Sequence, residues 1–527
     1  PSVAESGGEV GVEGSGAPAS MRSDMADSTA NPDRAIVVVV LCSVGPADVR
    51  DVADVVAAST GSIDGASSAD IAGIGGATVS AVGSPSARRT PKTATATTRM
   101  PIVPHIAMRL SCSGVMHVPT SLARAPHCPS GSVLNPEPNS GQQPARVPRS
   151  RCRHARLRLP SAAMPSITVP DYGGGSLPNL VSELEHRLTG ATHGERLNPS
   201  LAAKIPKGSS YVLFLFDGLG TMQLDHPAAA PFRQSLRGSL DAPFPATTTV
   251  SLASIATGLP PSQHGLLGYQ SWLPEIDQVV NTIKWTTLWG EPVEYDTTAF
   301  LPAPNLWERL TEAEIEPITV QPGNFLGSPL SKALYRGCRI EPAFTLDEAV
   351  DATAQLAAEP RRLIFSYLPH VDFAAHVHGQ QSGEYAEALA TAAWVWEQVG
   401  TRLPDGAVMV GTADHGHIDF PNEQQLKIPK AAHTDRVFYG DARAVFVLGD
   451  GASLADDLPA TWFPIDDVAH WWGPGPRHPS FDARTPDGIL VADDDQLLLH
   501  RRANDRLVGN HGALSDAERM IPLLVAG

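Results

Sequence analysis

Acidic and histidine residues follow several apolar runs of the sequence directly. The runs "YVLFLF", "RLIFSYL" and "AVMVGT" are typical of buried parallel strands, and α/β sheets carry their functional residues at the carboxyl ends of such strands. The acids and histidines at these ends, or just before the last apolar run, are Asp217, Asp372, His376, Asp414, His415 and His511. Three carboxylates and three imidazoles suit two divalent cations of borderline softness. A pair of such ions can promote in-line displacement at phosphorus.

Each of these residues taken alone is ambiguous. An Asp after a strand is more often a turn or N-cap residue, and the i, i+4 spacing of Asp372 and His376, which puts both on one face of a helical turn, also arises by chance. Their combination in one α/β frame is what favours a metal site. We interpret four further histidines nearby as surface residues or as residues behind the ligands: His378, His417, His433 and His470.

The stretch "PFPATTTVSLASIATGLPPSQHG", from Pro243 to Gly265, contains three consecutive threonines where a helix is predicted to begin. A threonine at that position can be an N-cap residue. It can also be a nucleophile, because the free N–H groups of a helix N-terminus favour a bound phosphate and a divalent cation can activate the weakly acidic hydroxyl. The stretch alone leaves both interpretations open.

Several motifs in the same chain order resemble the alkaline phosphatase superfamily. They are Asp217 after its strand, "ATGLPPSQHG", "VDFAAHVHG", "ADHGH" and "NHGALSDAERMIPLL". The resemblance is strongest to the type I phosphodiesterase/nucleotide pyrophosphatase family and extends roughly from Val169 to Gly527. It implies an α/β fold with an alkaline-phosphatase-like central, mostly parallel sheet flanked by helices and carrying capping insertions.

The resemblance also implies roles for individual residues. One ion site would be formed by Asp372, His376 and His511, and the other by Asp217, Asp414 and His415. The nucleophile, at or between the ions, would be Thr248, nine residues before the Thr of "TG", with Thr247 as a neighbouring cap. The implied cofactors are two divalent ions, zinc being expected and manganese the alternative. The implied reaction is hydrolysis of phosphodiester or pyrophosphate bonds through a phosphothreonine intermediate.

One departure from the family pattern concerns the substrate. An aromatic residue, a proline and an asparagine usually follow the nucleophile, whereas this chain has Thr249, Val250 and Ser251. Ser251 could donate one hydrogen bond to a phosphoryl oxygen, but with a shorter reach. A phosphomonoesterase, a phosphonate hydrolase and a catalytically weak metal-dependent protein that binds a phosphorylated ligand therefore remain alternatives. A sulfatase is disfavoured because the sequence has no C-x-P-x-R or S-x-P-x-R element.

Charge and hydropathy narrow the choice of partners. Residues 164–527 carry 24 Lys and Arg against 44 Asp and Glu, so phosphate backbones would be repelled and nucleic acid is not an expected partner. No apolar run reaches the roughly 18 residues that span a bilayer, so no membrane partner is expected. Cys338, the single cysteine of residues 164–527, favours a reducing, cytoplasmic location, with export as the alternative. The expected partner is a small phosphate ester or nucleotide-like substrate, and the sequence does not indicate an oligomeric state.

Composition divides the chain at Met164. Residues 1–163 contain no Phe, Trp or Tyr and cannot bury enough apolar surface to offset the entropy of ordering. We predict that they are low-complexity sequence, disordered or upstream of the true start, a basic interaction tail being the alternative. Residues 164–527 are predicted to form the catalytic domain, in which helix 384–403 joins two strands as a βαβ unit. Two irregular stretches, about 266–360 and 420–506, are interpreted as insertions that cap the carboxyl edge of the sheet.

Overall fold

The computed structural model describes residues 165–526. The predictions for residues 1–163 and for a start at Met164 lie outside the described residues. The strands are β1 (Ser210–Phe216), β2 (Leu236–Asp241), β3 (Gln270–Leu273), β4 (Gln278–Asn281), β5 (Thr286–Thr287), β6 (Glu316–Pro322), β7 (Arg339–Ala343), β8 (Arg362–Leu368), β9 (Ala407–Thr412), β10 (Ile418–Asp419), β11 (Gln425–Lys427), β12 (Val437–Gly440), β13 (Ala444–Leu448), β14 (Ala460–Pro464), β15 (Gly488–Ala492), β16 (Leu497–Leu499), β17 (Gly509–Asn510) and β18 (Met520–Ala526).

The same residues form α-helices of four to twenty residues. They are α1 (Leu177–Thr189), α2 (Pro199–Ala202), α3 (Ala230–Ser235), α4 (Thr248–Thr257), α5 (Pro261–His264), α6 (Leu306–Glu312), α7 (Pro329–Leu334), α8 (Leu346–Ala357), α9 (His370–His378), α10 (Gly383–Arg402), α11 (Ala452–Ala455), α12 (Ile465–Val468), α13 (Phe481–Arg484) and α14 (Asp516–Arg519). Short 3-10 helices span Met222–Asp225, Pro227–Ala229, Thr297–Ala299, Gly323–Phe325, Asn422–Gln424, Lys430–His433 and Ala469–Trp472. Within residues 165–526, no helix combines the length and the apolar character that crossing a bilayer requires.

A seven-stranded sheet organises the fold, with the strand order β2-β18-β9-β1-β8-β6-β7. Strands β9, β1, β8, β6 and β7 are parallel to one another. Strand β18 is antiparallel to both β9 and β2. The predicted α/β class, with a central and mostly parallel sheet flanked by helices, is confirmed. Because the parallel strands all end at one edge, that edge gathers the residues that follow them.

Strand β1 is buried along its whole length, which explains its continuous apolar sequence. Successive side chains of a strand point to opposite faces, and helices cover both faces here. Phe214 and Phe216 meet Trp396 of α10 at ring-centroid distances of 6.0 Å each. On the other face, Phe365 of β8 lies 6.2 Å from Trp307 of α6. The two pairs with Trp396 are edge-on, and such pairs add about 0.5–1.5 kcal/mol each beyond the area they bury.

The predicted βαβ unit is present, with one strand between its two strands. Strands β8 and β9 coincide with the runs "RLIFSYL" and "AVMVGT", and α10 joins them. Both strands pair in parallel with β1, so the crossover passes over β1. The ends of β8, β1 and β9 therefore lie side by side, and these are the ends that carry five of the predicted site residues.

The two stretches interpreted as insertions differ in structure. Residues 266–360 form the small sheet β3-β4-β5, and they also supply β6 and β7 to the central sheet. Residues 420–506 contain an antiparallel sheet with the order β12-β13-β15-β14. Both faces of that sheet are buried, because Ala444 and Phe446 of β13 pack in one apolar cluster while Val445 and Val447 pack in another.

Candidate active site

All the residues predicted to bind metal lie together at the carboxyl edge of the central sheet. Asp217 follows β1, α9 after β8 carries two of the residues, the loop after β9 carries two, His511 follows β17, and Thr248 is the first residue of α4. Their ligand atoms form two groups, Asp372, His376, His417 and His511 in the first and Asp217, Asp414 and His415 in the second, with the atoms of each group within 4.8 Å of one another. Every one of these residues is buried.

The turn after β1 brings the two groups together. The Asp217 N–H donates to the Leu368 carbonyl at 2.9 Å, and the Asp372 N–H donates to the Asp217 carbonyl at 3.0 Å. Gly218 then turns the chain with φ of +74°, a left-handed conformation that favours glycine. A Cβ at this position would lie 2.9 Å from both Asp372 Cα and His417 Cδ2, so a side chain here would displace the first group.

The first group places imidazole nitrogens around one carboxylate. Asp372 Oδ1 lies 3.3 Å from His376 Nε2, 3.9 Å from His511 Nε2 and 2.8 Å from His417 Nε2. His376 Nε2 and His511 Nε2 are 3.3 Å apart. Residues of this group come from three separate parts of the chain, so tertiary structure alone creates the cluster.

Backbone carbonyls fix the ring orientation of the two outer histidines. His376 Nδ1 donates to the Gly509 carbonyl at 2.7 Å, and His511 Nδ1 donates to the Ala246 carbonyl at 2.7 Å. A carbonyl only accepts, so Nδ1 of each ring carries a proton. The two Nε2 atoms face each other, and a cation between them would bind to both. A backbone acceptor at Nδ1 is the usual arrangement behind metal-ligating histidines.

The second group surrounds the predicted nucleophile. His415 Nε2 lies 3.5 Å from Asp217 Oδ1 and 3.5 Å from Asp414 Oδ2. Thr248 Oγ1 lies 3.5 Å from Asp217 Oδ1 and 3.3 Å from His415 Nε2. The other oxygen of Asp414 accepts from the N–H of Gly218 at 3.0 Å, whereas its Oδ2 has no hydrogen-bond partner within residues 165–526. Tyr367 donates its hydroxyl to Asp217 Oδ2.

The electrostatics of the site show a shortage of positive charge. Burial raises the pKa of Asp217 well above its usual value, and the carboxylates of Asp414 and Asp372 raise it further. Burial acts in the same direction on Asp372, but His376 and His417 outweigh it and lower the pKa of that carboxyl. Burial also lowers the pKa of His511 well below its usual value and lowers that of His417 to about 4. A neutral imidazole is the form that binds a metal ion. A bound cation would also favour the ionised form of the crowded carboxyl groups.

These separations fit divalent cations. Bond lengths of about 2.0–2.1 Å place neighbouring ligand atoms of a tetrahedral zinc about 3.3 Å apart. The three predicted ligands of the first group are 3.3 to 3.9 Å apart, and the contacts measured in the second group are 3.3 to 3.5 Å. The facing Nε2 atoms, the orphaned Asp414 oxygen and the mixed nitrogen and oxygen donors all fit such ions.

The three threonines of the opening motif have different surroundings. Thr247 occupies the N-cap position of α4 without capping it through its side chain, and its hydroxyl donates to Asp441 Oδ1 at 3.4 Å. The Thr249 hydroxyl is buried without a hydrogen-bond partner in the described part of the chain. Ser251 Oγ donates to the Asp414 carbonyl at 2.9 Å. Ser251 therefore supports the loop of the second group, and its hydrogen bond to a phosphoryl oxygen stays a prediction.

His417, interpreted from the sequence as a surface residue or a residue behind the ligands, lies within the first group. It is buried, and its Nε2 faces Asp372, although its Nδ1 has no partner among residues 165–526. The "DHGH" spacing, with two histidines at i and i+2, was the available signal. His378 is exposed beside Glu384. His433 is half-buried and packs on Phe438, and His470 is exposed.

Two cavities adjoin the site. One of about 340 Å³ begins at Thr248 and Tyr367 and has mostly apolar walls, with Lys284 and Gln321 among its polar lining residues. The other, of about 40 Å³, lies beside His376 and His511. The larger cavity has room for an organic group, whereas the smaller one has room for roughly two or three waters.

Comparison with known proteins identifies the relationship. The family model described as type I phosphodiesterase/nucleotide pyrophosphatase matches residues 211–514, which is more than half of the chain. The match begins in β1 and ends just after His511, so it contains both groups and Thr248. No curated protein matches the sequence.

Solved structures with a similar fold include two kinds of enzyme. Murine ectonucleotide pyrophosphatase/phosphodiesterase 5 is 16% identical, with 60% of this chain and 88% of that chain covered and a TM-score of 0.47. Phosphonoacetate hydrolase from Sinorhizobium meliloti 1021, in complex with phosphonoacetate, is 16% identical, with 61% of this chain and 91% of that chain covered and a TM-score of 0.45.

Proposed function

We propose a reaction for a chain that belongs to the type I phosphodiesterase/nucleotide pyrophosphatase family, within the alkaline phosphatase superfamily, and that is a metal-dependent phosphoric ester hydrolase. The proposed substrates are phosphodiesters or pyrophosphate-type compounds, cleaved through a phosphothreonine intermediate on Thr248. The observation that supports this most strongly is the pair of ligand groups with zinc-like separations, one of them touching the Thr248 hydroxyl. We assign this activity to a catalytic domain of residues 164–527.

Two divalent cations are proposed as cofactors, zinc first and manganese as the alternative. Asp372, His376 and His511 would hold one ion, and Asp217, Asp414 and His415 would hold the other beside Thr248. Bound ions supply positive charge that lowers the pKa of a hydroxyl and stabilises oxygens that gain negative charge. We assign His417 a supporting role, because its Nε2 donates to the Asp372 carboxylate at 2.8 Å and so orients that ligand.

Thr248 is placed to attack phosphorus. Its hydroxyl is buried at the first residue of the ten-residue helix α4, where free N–H groups and the helix dipole favour phosphoryl oxygens. In the first step, the Thr248 hydroxyl releases its proton to solvent, the Thr248 Oγ–P bond forms, and the bond from phosphorus to the leaving oxygen breaks as that oxygen takes up a proton. In the second step, water attacks the phosphothreonine and gives up a proton, the Thr248 Oγ–P bond breaks, and Oγ takes up a proton.

The larger cavity is the proposed site for an organic group of the substrate. Leu252, Phe325 and Tyr335 are among its apolar lining residues. Gln321 is buried, and its side-chain N–H2 has no hydrogen-bond partner in residues 165–526, so an acceptor on the substrate could satisfy it. This lining favours a flat or apolar ester group that carries a polar acceptor, a description that nucleotide-like and simple aryl esters both meet.

The assignment of Thr248 is tested by comparing adjacent threonines. Thr248→Ala should lower kcat/KM for bis-p-nitrophenyl phosphate by about 10³-fold or more, because it removes the nucleophile, while zinc content and thermal stability stay close to wild type. Thr249→Val is the matched control, since it removes a neighbouring buried hydroxyl that makes no hydrogen bond among residues 165–526, and it should retain activity. Mass spectrometry of acid-quenched wild-type enzyme should find the phosphoryl group on the peptide that contains Thr248. Near-wild-type turnover by pure Thr248→Ala would refute the assignment.

A further inference from the structure

A second carboxyl group lies beside the first ligand group without belonging to it. Asp441 lies in the turn between β12 and β13 and is 5% exposed. Its Oδ1 accepts from the Thr247 hydroxyl at 3.4 Å. Its Oδ2 is buried and has no hydrogen-bond partner within residues 165–526. A buried polar atom without a hydrogen-bond partner costs free energy. A bound molecule that formed a hydrogen bond with Asp441 Oδ2 would remove that cost.

The smaller cavity gives a hydrogen-bond partner access to Asp441. That cavity, of about 40 Å³, is lined by Asp441 together with His376 and His511 of the first ligand group. The Thr248 hydroxyl is in contact with the second group, at Asp217 and His415, and these residues do not line the smaller cavity. In an in-line displacement the leaving oxygen departs opposite the nucleophile. With Thr248 at the second group, the leaving oxygen would face the first group, whose His376 and His511 share the smaller cavity with Asp441.

The chain holds the Asp441 side chain in place through Gly512. A Cβ at position 512 would lie 2.4 Å from Asp441 Cβ, and Gly512 has φ of +127°. Only glycine is comfortable in that conformation and at that distance. Because Gly512 directly follows His511, the "NHG" motif positions the histidine and leaves room for the carboxyl group at once.

Asp441 has the protonation state of an acid. Burial raises its pKa well above the usual value, the Thr247 hydrogen bond partly opposes this, and the carboxylate of Glu518 raises it further. The nearby Arg443 does not offset these effects, because its guanidinium is bound to Glu518 and to the carbonyls of Asp493 and Gln496. These surroundings favour the protonated form of Asp441.

We propose that Asp441 is the general acid that protonates the leaving oxygen. When the bond between phosphorus and the leaving oxygen breaks, the Asp441 proton moves to that oxygen, which departs as a neutral alcohol and leaves Asp441 as a carboxylate. When water later attacks the phosphothreonine, one of its protons returns to Asp441 and restores the acid. The inference rests on the proposed function, because it presupposes attack by Thr248.

The test uses leaving groups of graded acidity. For a series of methyl aryl phosphates, kcat/KM reports the steps up to the first irreversible one, here the transfer to Thr248. Asp441→Asn, which keeps the size of the side chain and removes the proton, should change kcat/KM for the p-nitrophenyl ester by less than about 3-fold. It should lower kcat/KM for the phenyl ester and for a dialkyl ester by about 10²–10⁴-fold, since poor leaving groups need the proton. Thr247→Val, which removes the hydrogen bond to Asp441, should shift the series in the same direction and by less.

Two results would overturn the inference. One is a loss that is equal for all leaving groups in Asp441→Asn protein of wild-type zinc content, and the other is no loss for the dialkyl ester. Circular dichroism and thermal denaturation show whether the variant is folded, and if it is not folded, Thr247→Val decides by the same slope. Thr248→Ala, assayed in parallel, separates the two proposals. Activity in that variant refutes Thr248 as the nucleophile, whereas the dependence of kcat/KM on leaving-group acidity in Asp441→Asn tests only the role of Asp441 as the acid.

Discussion

Two clusters of buried charge within residues 165–526 are built differently from each other. Arg443 and Glu518 are both fully buried. The guanidinium meets Glu518 at 3.3 and 3.4 Å and two carbonyls at 2.7 and 2.6 Å. Glu518 also accepts from the Ala513 N–H and the Ser515 hydroxyl. One cation, one anion and their hydrogen bonds form a closed set.

The ligand groups lack that closure. Asp217 and Asp414 crowd each other beside His415, and one Asp414 oxygen has no hydrogen-bond partner in the described part of the chain. Buried carboxylates in this state cost free energy unless a cation is supplied. A satisfied buried pair therefore indicates architecture, whereas an unsatisfied one indicates a site that awaits a ligand.

Metal depletion should distinguish the ligand groups from the Arg443–Glu518 cluster most strongly. Removing divalent ions with a chelator should lower phosphodiesterase activity by about 10⁴-fold or more, since charge stabilisation at two sites supplies several kcal/mol each. Added zinc should restore the activity, and manganese should be compared with it. The measurement is turnover of bis-p-nitrophenyl phosphate before depletion, after it, and after each addition. Full activity in metal-free protein would remove the basis of the proposed site.

Substitutions in the Arg443–Glu518 cluster should instead lower the stability of the protein. Arg443→Met leaves Glu518 buried without its cation and should lower the free energy of unfolding by about 3–5 kcal/mol, as measured by urea denaturation of zinc-loaded protein. The double variant Arg443→Met/Glu518→Gln should recover part of the loss. Arg339→Met is the matched control, because Arg339 pairs with Glu316 and Glu341 at an exposed position and should cost no more than about 1 kcal/mol. Equal losses for Arg443 and Arg339 would contradict the contrast.

The smallest expected effect concerns the support of one ligand loop. Ser251→Ala removes the hydrogen bond to the Asp414 carbonyl and should cost about 0.5–1.5 kcal/mol of stability, with kcat reduced by less than about 10-fold because that cost bounds the misplacement of Asp414. Calorimetry and steady-state kinetics measure the two quantities. A loss of activity as large as that of Thr248→Ala would show that Ser251 contacts the substrate after all.

The sequence predicted the chemistry at the sheet edge because that chemistry depends on local patterns. Each of Asp217, Asp372 and Asp414 follows an apolar run, and parallel strands must end at one edge, so their proximity follows from the fold class. The i, i+4 spacing of Asp372 and His376 similarly survives as two residues on α9. The structure brings these residues together, while their roles as ligands remain predictions.

Other features depend on contacts between distant segments, which no local pattern reports. Asp441 meets Thr247 across 194 positions of the chain, and Tyr367 meets Asp217 across 150. The stretch 266–360 has an irregular sequence, yet it supplies two strands of the central sheet. Strand β6 pairs with β8, and β7 pairs with β6. The chain after Thr248 has Ser251 pointing to a backbone carbonyl, an outcome set by the position of the loop after β9.

The central claim is that two separate ion sites flank Thr248, and metal stoichiometry tests it most directly. Native mass spectrometry of zinc-loaded protein should find two ions per chain in the wild type. Asp217→Ala and Asp372→Ala, each of which removes a ligand from one group, should retain one ion each. Wild-type protein that binds no more than one zinc ion per chain in excess zinc would contradict the account.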